Sequence, residues 1–185
     1  VDSVTGEKLS ILMGGLSEGR EMFSPLPGVE TELTEISQIV KSDLLLNQRF
    51  TNPNLAAKIN SLNFPVVHIA THGQFSSQVE DTFILTWDGK MNVQEFNSIL
   101  RSREQKFSRP LELLVLSACQ TATGDRRAAL GLAGFAVRSG ARTTLGTLWQ
   151  VSDRSTADLM IRFYQELAGH PATSKAKALQ MAQLA

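Results

Sequence analysis

Two short apolar runs constrain this chain more than any other feature: "PVVHIAT" at residues 65–71 and "LELLVLSA" at 111–118. Each is a nearly unbroken series of Val, Ile and Leu, bounded by polar residues. Such runs read as strands buried on both faces, which is the habit of parallel sheets covered by helices. "ARTTLGTLW" at 141–149 reads as a third buried strand. "EKLSILMGG" at 7–15 reads as a first one, closed by Gly14 and Gly15. "DLLLNQRF" adds a short strand and its exit.

Helical patterns lie between these runs. "VETELTEISQIV" places Val29, Leu33, Ile36, Ile39 and Val40 on one stripe. Asn52 is positioned to cap "PNLAAKINSL", with Pro53 at the first helical place. "VQEFNSIL" and "RAALGLAGFAVRSG" read as helices, the latter stopped by Gly140. Ser152 or Asp153 can cap "RSTADLMIRFYQELAG", and "SKAKALQMAQLA" follows Pro171 as a last helix. Asp88-Gly89, between "TFILTW" and "KMNV", suits a type I′ hairpin turn. "RSREQKFSRP" at 101–110 reads as a polar connection inside one domain. The alternation gives an α/β fold with a mostly parallel sheet, helices on both faces, right-handed crossovers and a small β-hairpin.

Composition narrows the function classes. The formal net charge is zero and the Lys and Arg are scattered, so neither a nucleic-acid nor a membrane surface is implied. No apolar run approaches a membrane span, and "VDSVTGEKLS" does not read as a signal peptide. The single cysteine excludes internal disulfides and cysteine-based zinc frameworks, and it fits a reducing, cytoplasmic setting. Residues 1–185 read as one domain, and the halt at "KALQMAQLA" reads as a cut within a longer chain.

Open parallel sheets bind ligands beyond the carboxyl ends of their strands. Two chemically capable residues fall there: His72, directly after "PVVHIAT", and Cys119, directly after "LELLVLSA". If those strands are neighbours, an imidazole lies beside a thiol. The imidazole can take the thiol proton and stabilise the thiolate that attacks a carbonyl. Gly73, without a side chain, lets its amide approach an oxyanion, and the Cys119 amide would be the second donor. The bland alternatives are a cysteine that serves as a small core hydrophobe and a histidine that only finishes a strand. A metal site on His68 and His72 fits poorly, because strand residues four apart stand about 13 Å from each other and no carboxylate cluster supplies a third ligand. His68 reads as an interior histidine. "GGLSEG" lacks the Gly-Lys-Ser/Thr of a phosphate loop, so no nucleotide or other cofactor is expected.

In order, "LPGVETELTEI", "HIATHGQF", "LTWDGKMNV", "LELLVLSACQTATG" and "AGFAVRSGARTTLGTLWQVSD" resemble CHAT domains, the caspase-like domains associated with tetratricopeptide repeats. The resemblance implies the three-layer caspase-hemoglobinase fold. It also implies a His-Cys dyad on His72 and Cys119, and a cysteine endopeptidase that cleaves a protein partner in a regulatory pathway. Regulation by a repeat domain or an activating partner is part of the same implication. "LWQVSDRS" is similar to a separase segment in which an aspartate meets a P1 arginine. That correspondence assigns Asp153 to a basic P1 pocket and Trp149 to its wall, against the plainer reading of Asp153 as a helix cap and Trp149 as core. Asp125 is the rival acidic residue. Ser117 stands where metacaspases carry an acidic pocket residue, so that pocket is missing. "ATGDRRAAL" departs from the glycine-rich stretch common after "LSACQT". The competing reading is a catalytically silent caspase-like module that binds protein partners.

Overall fold

The computed structural model describes residues 9–20, 22–76, 78–117, 120–121, 134–135, 137–147 and 152–185, with only the backbone of 120–121. Cys119, Asp125 and Trp149 lie outside the described residues. In chain order the strands are β1 (Ser10–Gly15), β2 (Lys41–Leu46), β3 (Val66–Ala70), β4 (Gly73–Phe75), β5 (Phe83–Thr86), β6 (Gly89–Asn92), β7 (Leu113–Ser117), β8 (Gln120–Thr121) and β9 (Thr144–Gly146). The helices bounded in full are α1 (Pro27–Ile39), α2 (Asn52–Ser61), α3 (Val93–Phe107), α4 (Asp153–Gly169) and α5 (Lys175–Leu184).

Five strands form one sheet in the order β2-β1-β3-β7-β9, and every pairing in it is parallel. The two apolar runs are therefore adjacent central strands, β3 and β7. Side chains alternate between two cores, as strand geometry requires. Val66 and Ala70 of β3 face a layer made by α1, α4 and α5. Val67 and Ile69 face the opposite layer, with Leu55 and Ile59 of α2 and Phe96 and Leu100 of α3. Both faces are covered, which is why β3 and β7 carry apolar residues at every position but His68 and Ser117.

A second, smaller sheet, β6-β5-β4-β8, continues from the carboxyl ends of β3 and β7. Its β4–β5 and β5–β6 pairs are antiparallel, and β8 joins β4 in parallel.

Several local expectations shift. Thr51, not Asn52, caps α2, accepting from the Asn54 amide at 3.3 Å. Asn52 is occupied by the hairpin instead: its side chain accepts from the Thr86 hydroxyl at 2.8 Å. The hairpin turn falls on Trp87 and Asp88, one residue earlier than expected, with Thr86 opposite Gly89. Neither Trp87 nor Asp88 has the positive φ that a type I′ turn needs at both central residues, and Gly89 follows them at φ 139°. Trp87 is held from outside, its amide donating to the Phe50 carbonyl and its ring lying 4.0 Å beneath the Arg20 guanidinium.

Residues 101–107, expected as a connection, complete α3. Arg103 is buried there, donating to the carbonyls of Arg109 and Phe64 and to the Asn63 side chain. In sequence such an arginine is indistinguishable from a solvated one. The strand at β9 is a half-exposed edge rather than a buried strand. Gly140 has φ 69° where the helical residues before it end, as a C-terminal stop demands.

Candidate active site

The site begins where β3 gives way to β4. Residues 71 and 72 are clamped by β5: the Thr71 hydroxyl donates to the Leu85 carbonyl at 2.7 Å, and the Leu85 amide donates to the His72 carbonyl at 2.8 Å. Gly73 then pairs opposite Ile84. Successive residues of an extended strand turn their amides to opposite sides. Because the His72 carbonyl faces β5, the Gly73 amide faces away from it, toward the edge of β4 that β8 occupies.

The His72 ring is half-buried and held from two directions. It packs against Phe23, with centroids 5.1 Å apart. Its Nε2 lies 2.7 Å from the Ser24 carbonyl oxygen. A carbonyl can only accept, so Nε2 carries the hydrogen, and in the neutral ring Nδ1 is left with the basic lone pair. The loop that supplies Phe23 and Ser24 is itself fixed. Arg20 donates to the Trp87 carbonyl at 3.0 Å, the Asn47 side chain accepts from the Ser17 amide at 2.8 Å, and the Leu26 amide donates to the Ser17 carbonyl. Nothing in the sequence singled out this loop, because its contribution is a main-chain carbonyl that any residue could supply.

On the neighbouring strand, Ser117 of β7 lies opposite Ala70 of β3. The next described pairing puts Gln120 opposite Gln74 and Thr121 opposite Phe75. The segment that carries His72 and Gly73 is thus paired on both sides with the chain that flanks residues 118–119.

Four residues before His72, His68 is fully buried. Its Nε2 lies 2.7 Å from Glu32 Oε1 and its Nδ1 3.0 Å from the Tyr164 hydroxyl. The other Glu32 oxygen accepts from the Ser117 hydroxyl at 3.1 Å. The expected interior role of His68 holds, and both of its ring nitrogens are engaged there. Ser117 points into this network. The hint available in sequence was Glu32, an acidic residue next to Leu33 in the apolar stripe of α1.

Asp153, the first residue of α4, turns its carboxylate onto a different helix. Its Oδ2 accepts from the Gly28 amide at 2.6 Å, at the amino end of α1, where Leu26 offers no side-chain cap. A carboxylate there also meets the positive end of the helix dipole. A Cβ on Gly28 would stand 2.7 Å from Oδ2 and 2.8 Å from Cγ, so this contact explains the glycine of "LPG".

Among the described residues, no group of three or more His, Cys, Asp or Glu could hold a metal ion, and no helix is long and apolar enough to cross a membrane. A search among curated proteins gives no match. The model of the CHAT domain family matches residues 4–185. That family is caspase-like and often peptidase-related. With the match running over nearly its whole length, and with the parallel sheet and strand-end histidine in place, the chain belongs to the CHAT domain family.

Proposed function

We propose that the protein is a cysteine endopeptidase whose nucleophile is Cys119 and whose general acid–base is His72. The observation that carries the proposal is the double register. β3 pairs with β7 up to Ser117, and β4 pairs with β8 from Gln120, so the His72 segment runs alongside the chain on either side of Cys119.

The chemistry follows from the tautomer. The thiol proton passes to His72 Nδ1, and the thiolate attacks the scissile carbonyl carbon. The imidazolium keeps its Nε2 hydrogen on the Ser24 carbonyl, which steadies the positive charge. The amides of Gly73 and Cys119 hold the oxyanion. Collapse of the tetrahedral intermediate breaks the C–N bond as Nδ1 returns its proton to the leaving amine. Water, losing a proton to Nδ1, then hydrolyses the thioester and frees Cys119.

Substrates are proteins, and a repeat domain or activating partner controls access. An arginyl electrophile is the first probe, since the separase-like segment assigns a basic P1 pocket to Asp153 and Trp149. The engagement of Asp153 with Gly28 favours its role as the α1 cap. The test is to treat the full-length protein with a peptidyl electrophile carrying Arg at P1, and separately to profile cleavage of a peptide library, with Cys119→Ala as the control. Labelling and cleavage that vanish in the control support the proposal. No labelling of the activated protein by any P1 class would sink it and favour the silent binding module.

A further inference from the structure

The quartet Tyr164–His68–Glu32–Ser117 has no part in the chemistry above, yet it is a connected and buried polar cluster. Tyr164 and His68 are 0 % exposed, Glu32 1 % and Ser117 7 %. With Glu32 ionised and the His68 ring neutral, the Ser117 hydroxyl and His68 Nε2 donate to the two Glu32 oxygens, and the Tyr164 hydroxyl donates to His68 Nδ1. Burial, and after it the Glu32 charge, push the Tyr164 phenol well above its ordinary range, so it remains a donor.

A buried ion of this kind adds little net stability over a well-packed apolar substitute, so its geometry calls for another explanation. The geometry is a clamp. One carboxylate from α1 reaches two neighbouring strands, Oε1 on His68 of β3 and Oε2 on Ser117 of β7. Ser117 opposite Ala70 is the last rung of the β3–β7 ladder. Beyond that rung the chains proceed to His72 and Cys119.

We propose that Glu32 and Ser117 are positioning residues, which fix the direction in which the chain leaves β7 and so set the register of β8 against β4. The catalytic use of that ordering rests on the peptidase reading; the ordering itself does not.

Ser117→Ala in the full-length protein removes one donor with little change in volume. Amide hydrogen exchange is followed by mass spectrometry in peptides covering 73–75 and 120–121, with β2 as internal reference. Exchange at the small sheet should rise about tenfold while β2 is unchanged, because one charge-assisted hydrogen bond is lost locally. Ser117→Thr, which keeps the hydroxyl, should restore protection. Glu32→Gln should act in the same direction, and the double variant should be no worse than the stronger single one, since both break the same clamp. Unchanged exchange at 120–121, an equal rise in β2, or failure of Ser117→Thr to rescue would each overturn the proposal. If Glu32→Gln does not fold, the Ser117 pair decides. The electrophile separates the two claims: Ser117→Ala should slow the inactivation step with binding of the probe unchanged. A wild-type protein that never labels counts against the dyad, while the exchange comparison still judges the clamp.

Discussion

His68 and His72 belong to the same stretch of chain and to two different kinds of structure. Around His68 the chain is a central strand with helices on both sides, and the imidazole is sealed among Glu32, Tyr164 and the core. Around His72 the strand has left the large sheet, and the ring is held by a loop carbonyl and one aromatic face. The first environment makes a histidine expensive to remove. In the second, the described residues engage Nε2 and, in the neutral ring, leave the lone pair on Nδ1. The contrast teaches that two histidines four residues apart take different environments according to whether the strand is inside the covered sheet or past its end.

The sharpest way to break that contrast is to remove each ring. Cys119→Ala should abolish cleavage, and His72→Ala should lower it at least about 100-fold, the usual scale for a lost general acid–base. His72→Ala should nevertheless leave the urea midpoint nearly unchanged, because little packing depends on it. His68→Ala should do the reverse in stability, costing about 3–5 kcal/mol, since it leaves the Glu32 charge buried without its partner. Equal unfolding midpoints for the two variants would end the distinction.

Phe23→Ala should slow labelling of Cys119 by an arginyl electrophile about tenfold without unfolding the domain, because a ring free to turn is out of line with its target. Unchanged labelling would mean that the Ser24 carbonyl alone orients His72. Asp153→Ala should cost about 1 kcal/mol in denaturant unfolding, as the loss of a helix cap does. A P1 profile that stays the same would assign Asp153 to α1, and one that loses Arg would return it to the pocket.

The smallest effect lies at the other end of the quartet. Tyr164 is the only tyrosine, so phenol absorbance reports on it alone. Its proton is held more tightly in the folded protein than in the unfolded chain, where the value is near 10.0. The stability linked to it is complete below that pH and is lost as pH rises toward the folded value. Phenolate should therefore appear together with unfolding. Its appearance in the folded protein near pH 10 would show that the core around His68 is open to water.

The α/β class followed from "PVVHIAT" and "LELLVLSA", because apolar residues at nearly every position require cover on both faces; that the two strands are neighbours was only a condition in the sequence and is shown by their pairing. The separate fates of His68 and His72 were legible for the same reason: one lies inside a run and the other just past it. The reach of α3 was not, because Arg103 is buried through main-chain carbonyls that leave no trace in residue identity. The hairpin was legible, but not the position of its turn one residue earlier, where the Trp87 amide meets the Phe50 carbonyl and its ring the Arg20 guanidinium.

The sequence by itself determined which runs form strands covered on both faces and that a histidine and a cysteine directly follow two of them, because periodicity and side-chain type are local properties. Tertiary structure alone decided that the Ser24 carbonyl fixes the His72 tautomer, that Asp153 caps α1, and that Glu32 ties β3 to β7. Each of these is a directional hydrogen bond between segments far apart in the chain, and such a bond exists only after the layers have packed.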